Sequence, residues 1–170
     1  VISNAFEEVY VVTGDQIIEE LVQKHGGKVI RTYKSHKNGT SRAAEAITNI
    51  DASHIVLIQG DEPLIMPNHL KSMVKFINKN PEYSTINAIA SIENQSDLDD
   101  HSQVKCTINE KGRILYCFRR SPSCCRKDKQ LKYIKKMLGL IGYSREILDI
   151  LLNAKPDKIQ EFESIEQLWL

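Results

Sequence analysis

The sequence predicts an α/β fold: a mostly parallel sheet with an antiparallel hairpin and helices on both faces. Three observations predict it. Two short apolar runs, Val9–Val12 and Ile55–Ile58, each end near a glycine and lead towards a helical pattern. The first run, its helix and Val29-Ile30 form a strand–helix–strand series with short connections, the signature of a parallel α/β sheet. Further on, Val104–Ile108 and Arg113–Phe118 flank Asn109-Glu-Lys-Gly112, a hairpin signal.

Composition agrees with a single ordinary domain spanning residues 1–170. The chain is long enough for a real core, with 41% apolar and 26% charged residues. A net charge of +1 gives no global basic field of the kind nucleic-acid binders carry. No apolar stretch approaches a membrane span, and the first residues do not resemble a signal peptide. Cys106, Cys117, Cys124 and Cys125 lack metal-site spacing, which favours a cytosolic protein with reduced thiols.

Taken in order, Asp15 caps a helix whose Ile17, Ile18, Leu21 and Val22 make an apolar, inward face. Gly26-Gly27 stops that helix. Residues 33–42 form a polar loop entering a helix with Ala43, Ala44 and Ile47 inward; free N–H groups there suit an anion or a base edge. Arg42 opposes the helix dipole in the first turn, a weak functional hint against the plain reading of a surface loop. His36 reads as solvated.

Ile55–Ile58 reads as a central strand buried on both faces. It stops at Gln59-Gly60-Asp61-Glu62-Pro63, placing two carboxylates and an amide at a strand's carboxyl end, where open α/β sheets bind ligands. A carboxylate there can hold a divalent cation against phosphate; the plain alternative is an acidic turn. Pro67 starts a helix with Leu70, Met73, Val74 and Ile77 inward, and 84–92 reads as another strand. Gly112 suits a positive-φ turn position. Arg119 and Arg120 end a strand, whereas Lys127 to Lys136 reads as a solvated basic stretch and Cys124-Cys125 as exposed thiols. Residues 137–143 form a strand whose Gly139 and Gly142 invite a close approach, and Ser144 caps the next helix. Residues 162–170 read as one helix with Ile165, Leu168 and Trp169 inward.

The run Asn38-Gly-Thr-Ser-Arg-Ala-Ala-Glu45, followed at its spacing by Gln59-Gly-Asp-Glu-Pro-Leu-Ile65, resembles the CMP-Kdo synthetases, the 3-deoxy-manno-octulosonate cytidylyltransferases. Later pieces follow in the same order: Val104-Lys105 before the hairpin, an arginine after it, Leu138-Gly139 with Gly142-Tyr143, and Glu163-x-x-Glu-Gln-Leu168. The resemblance covers essentially the whole chain. It implies a Rossmann-like nucleotide-diphospho-sugar transferase fold. It also implies transfer of CMP from CTP to the acidic sugar Kdo, with pyrophosphate released and Mg²⁺ as cofactor, in lipopolysaccharide precursor synthesis. A cytoplasmic homodimer is expected, with no nucleic-acid or membrane partner.

By the same resemblance, Asn38 and Arg42 meet the cytosine, Gln59 helps hold base or sugar, and Asp61 binds Mg²⁺. Arg119, or Arg120 if the register differs by one, pairs with the sugar carboxylate. Tyr143, Glu163, Glu166 and Gln167 contact the sugar. The family's opening phosphate-binding loop and its last Asp-bearing segment fall outside residues 1–170, so this chain alone is expected to be inactive. Met137 and Ile141 stand where the family usually has His and an aromatic. Those two changes leave open a cytidylyltransferase for another 2-keto sugar acid. A non-catalytic nucleotide-binding remnant is the remaining alternative.

Overall fold

The computed structural model describes residues 4–121, 126–155 and 157–169, so Cys124 and Cys125 lie outside it, as does the Trp169 side chain. In chain order the elements are β1 (Tyr10–Thr13), α1 (Gln16–Lys24), β2 (Lys28–Arg31), α2 (Gly39–Ala46), β3 (His54–Ile58), α3 (Pro67–Lys79) and β4 (Thr85–Ser91). There follow β5 (Lys105–Ile108), β6 (Ile114–Phe118), α4 (Lys127–Gln130), β7 (Ile134–Ser144), α5 (Arg145–Asn153) and α6 (Lys158–Glu163). The chain forms two compact units. One comprises the chain up to Ile86 together with Leu140–Ala154; the other comprises Asn87–Gly139 and the chain from Lys155 onward.

In the first unit β1 and β2 pair in parallel, Val11 opposite Val29. Asp15 caps α1 as its sequence predicts, accepting from Ile17 N at 2.7 Å. The helix does not bury its apolar face, however: Ile17 is 76% and Leu21 56% exposed. A sheet of two strands is too narrow to cover a helix face. The central-strand expectation for β3 is also corrected. β3 pairs antiparallel with β7, Val56 opposite Gly142, and is the last strand of its hydrogen-bonded series among the described residues. With a neighbour on one side, its residues are half-buried and Ile58 is exposed.

The core of this unit comes from the expected helix faces. Leu70, Met73 and Ile77 of α3, Ala43 and Ala44 of α2, and Leu148 and Leu151 of α5 are buried. The close approach anticipated on β7 is made at Gly142 by α3. A Cβ there would lie 3.0 Å from Ile77 Cδ1 and 3.5 Å from Met73 Sδ.

In the second unit β5 pairs antiparallel with β6, Cys106 opposite Cys117, and also antiparallel with β7, Cys106 opposite Lys135. The mostly parallel sheet is found in part: β1 and β2 are parallel, whereas β7 pairs antiparallel with β3 and with β5. The hairpin forms as expected. Gly112 has φ +78°, and the Asn109 carboxamide oxygen accepts from Lys111 N and Arg113 N. Ile92, Leu98, Phe118 and Ile134 form the core. The helix expected over 162–170 is broken. α6 ends at Glu163, Ser164 takes a left-handed φ of 51°, and a 3-10 turn follows over Glu166–Trp169. The break buries Ile165 and leaves Phe162 exposed.

Candidate active site

The residues expected at the nucleotide all belong to the first unit. Asn38 caps α2, its side-chain oxygen accepting from Ser41 N at 2.8 Å. With that oxygen engaged, what the carboxamide offers a ligand is its NH₂, a pure donor. Gly39 sits beside Leu57, since a Cβ on it would lie 3.7 Å from Leu57 Cδ2. The first turn of α2 therefore stands next to the end of β3, two residues before Gln59.

Arg42 donates from Nη1 to Thr32 Oγ1 at 3.0 Å. It passes close to Gly14, where a Cβ would meet the same nitrogen at 3.0 Å and Thr32 O at 3.3 Å. The carboxyl ends of β1 and β2 thus seat Arg42. Gly14 and Thr32 carried no functional signal in the sequence beyond the turn itself. His36 is not solvated: its side chain is 7% exposed and Nε2 lies 2.7 Å from Glu45 Oε2. Glu45 Oε1 also accepts from Tyr33 N at 3.0 Å, so the polar loop is tied back onto α2. Burial raises the Glu45 pKa, but the hydrogen bonds from Tyr33, His36 and Lys34 outweigh it and hold the carboxyl below its ordinary value.

β3 ends in a turn closed by Glu62 N donating to Gln59 O at 3.2 Å. Gln59 and Glu62 are half-buried and Asp61 is exposed. Among the described residues no three His, Cys, Asp or Glu side chains cluster as a metal cage. One exposed carboxylate at a strand end nevertheless fits Mg²⁺, which is commonly held by one or two carboxylates with substrate phosphates and water. A cavity of about 400 Å³ in this unit, lined by Lys71, Lys75 and Lys79 of α3, includes none of these residues.

Tyr143, expected at the sugar, is fully buried, and its hydroxyl lies 2.9 Å from Thr40 Oγ1. A side chain sealed in this way braces α2 against β7 and offers no surface to a ligand. That placement corrects the expectation.

The remaining residues expected at the sugar belong to the second unit. Arg119 donates from Nε to Glu163 O at 2.6 Å and from Nη2 to Ser164 O at 2.7 Å. Nη1 reaches His101 O at 2.7 Å and Ser102 O at 3.4 Å. The guanidinium caps the end of α6 and holds the loop before β5, the favourable end of a helix dipole for a cation. All four partners are neutral carbonyls, which orient the group and leave its charge uncompensated. Arg120, the next residue, is exposed, as is the Glu163 side chain. Glu166 is half-buried and accepts through its carbonyl from Gln160 Nε2 at 3.4 Å. Gln167 Nε2 donates to Asn87 Oδ1 at 3.2 Å, and Asn87 Nδ2 donates to Leu138 O at 3.0 Å. Asn87 was hidden inside an apolar strand pattern.

The class comes first: the fold matches that of a solved nucleotidyltransferase, an α/β nucleotidyltransferase fold. A solved CMP:2-keto-3-deoxy-manno-octonic acid synthetase complexed with CTP matches with a TM-score of 0.84 and 28% identity, over 95% of this chain and 66% of that one. The family model described as cytidylyltransferase matches residues 1–170, and the chain belongs to that family. The 3-deoxy-manno-octulosonate cytidylyltransferase of Thermodesulfovibrio yellowstonii is 33% identical over 98% of this chain and 70% of its own length. The 8-amino-3,8-dideoxy-manno-octulosonate cytidylyltransferase of Shewanella woodyi is 31% identical over 94% and 66%. The chain thus spans about two thirds of the length of the proteins it matches.

Proposed function

We propose that these residues serve a cytidylyltransferase that transfers CMP from CTP to an acidic octulosonic sugar, Kdo. The observation that carries this reading is the Asn38–Gly39 turn beside β3, with Gln59 and exposed Asp61 following directly. The sugar hydroxyl attacks the α-phosphorus, a new P–O bond forms, the bond to pyrophosphate breaks, and the hydroxyl proton leaves to solvent. Asn38 donates its NH₂ to the acceptor edge of cytosine and so disfavours the N3–H of uracil. Arg42, seated by Thr32, supports the base loop. Asp61 holds Mg²⁺, and Gln59 steadies base or sugar. Mg²⁺, when bound, neutralises phosphate charge and lowers the pKa of the attacking hydroxyl. Arg119, an oriented cation with neutral partners, meets the sugar carboxylate, with Arg120 beside it; Glu163, Glu166 and Gln167 address sugar hydroxyls.

The test is pyrophosphate release by the full-length gene product carrying these residues. Asp61→Asn abolishes Mg²⁺-dependent turnover with the fold intact, whereas wild-type rates in that variant refute the assignment. Another 2-keto sugar acid, such as the 8-amino-3,8-dideoxy acid in a relative's name, is a second reading, since Met137 stands where the family usually has His. Measuring kcat/KM for both sugar acids separates the two. A homodimer in the cytoplasm is part of the proposal, checked by light scattering and fractionation.

A further inference from the structure

Lys105 lies in β5 and is fully buried. Its ammonium donates to three backbone carbonyls: Asp100 O at 2.6 Å, Gln103 O at 3.0 Å and Asp97 O at 3.1 Å. No carboxylate oxygen is among these partners. A buried ammonium is costly to keep charged, and here burial lowers its pKa, against the opposing pull of Asp100. A Met or Leu would fill the same space without that cost, so packing alone does not account for a lysine here.

The carbonyls it gathers belong to one short loop, and their order along the chain is informative. Lys105 takes the carbonyls of 97, 100 and 103, while Arg119 takes those of 101 and 102. Within the loop, the Asp100 carboxylate accepts from Ser102 N, Ser102 Oγ and Gln103 Nε2, which fixes the turn between the two sets. Carbonyls of successive residues point in different directions in such a turn, and each cation selects a different subset. The loop is thus organised from inside by Lys105 and presents the carbonyls of His101 and Ser102 to Arg119.

We propose that Lys105 is a positioning residue for Arg119: by holding the loop from inside, it sets the two carbonyls that orient the guanidinium toward the sugar acid. The substrate consequence rests on the reading of Arg119 given under the proposed function. The orientation of Arg119 does not rest on it.

The experiment uses the full-length gene product with Lys105→Met, which removes the ammonium and keeps the volume. The expected result is an increase of about tenfold in KM for the sugar acid, the scale of one misplaced bond to a charged group, with KM for CTP within about twofold. In an Arg119→Met background, Lys105→Met adds no further increase, because the residue it positions is gone. The Arg119 Nε–H resonance shifts in the single variant. An equal rise in both KM values, a multiplicative effect in the double variant, or an unmoved Arg119 resonance overturns the proposal. If Arg119→Met alone leaves the sugar KM unchanged, the assigned role of Arg119 fails, and the resonance still decides whether Lys105 positions it. Should Lys105→Met fail to fold, Lys105→Gln, whose NH₂ still donates to the loop, is read in the same way. It is expected to show a smaller shift in the same direction, and no shift overturns the proposal.

Discussion

Tyr143→Phe removes one oxygen and keeps the ring, and it separates a structural tyrosine from a substrate contact. The hydroxyl lies 2.9 Å from Thr40 Oγ1, with Tyr143 0% and Thr40 1% exposed. A neutral buried pair of this kind contributes about 0.5–1.5 kcal/mol. Equilibrium urea unfolding should therefore show a loss of about 0.5–1.5 kcal/mol at unchanged slope. In a Thr40→Val background the same change should cost less than in the wild-type background, since the bond the two residues share is already gone. The sugar-acid KM stays at the wild-type value, because the hydroxyl faces no solvent. Any kinetic change falls on CTP, since Thr40 is two residues from Asn38. Full stability combined with a raised sugar-acid KM would refute the reasoning and return Tyr143 to the substrate.

Gly14→Ala places a methyl 3.0 Å from Arg42 Nη1, so the guanidinium must give by a few tenths of an ångström, its bond to Thr32 weakens, and CTP affinity should fall about twofold by titration. Acid should loosen the 33–38 loop. Glu45 is held below its ordinary 4.5, so its contribution is present above that pH and lost as pH falls through the lower folded value. Amide exchange in this loop should accelerate below about pH 4.5, and Glu45→Gln should remove the pH dependence. Burial pushes the Cys106 thiol up to about 12, helped by Cys117, and burial pushes Cys117 up to about 11. At pH 8 both should alkylate at least about 10²-fold more slowly than an ordinary thiol by peptide mass mapping.

Local chemistry was readable before the structure. The Asp15 and Ser144 caps, Pro67 at a helix start and the Gly112 turn each satisfy their own backbone within a few residues. Strand direction was not readable, because β3 takes its sense from β7, some eighty residues later, and no property of Ile55–Ile58 encodes it. The apolar face of α1 was legible as a face, but its burial depends on how many strands lie beneath it. Asn38, Arg42, Gln59 and Asp61 were legible as candidates because two short motifs carry them. The partners of Arg119 and Lys105 were not, since every residue owns a carbonyl and sequence gives no sign of which ones will turn toward a cation.

The arginines divide by what holds them. Arg31 pairs with Glu19, Arg126 with Asp128 and Arg145 with Asp149, so each of these charges is met by a carboxylate. Arg42 is held by a threonine hydroxyl and Arg119 by four carbonyls. A carboxylate partner orients a guanidinium and cancels its charge; a neutral oxygen orients it and leaves the charge for something else. Arg145 also donates to Ile50 O but has its carboxylate as well, whereas Arg42 and Arg119 are held by neutral oxygens alone. Replacing such a residue by Lys would keep the charge and lose the orientation, because a point ammonium cannot match several fixed acceptors at once. The same argument explains why a buried ammonium at Lys105 is tolerated beside Arg119. The carbonyls it draws inward hold the ammonium by direct bonds, and the Asp100 carboxylate is spent on Ser102 and Gln103 of the same loop.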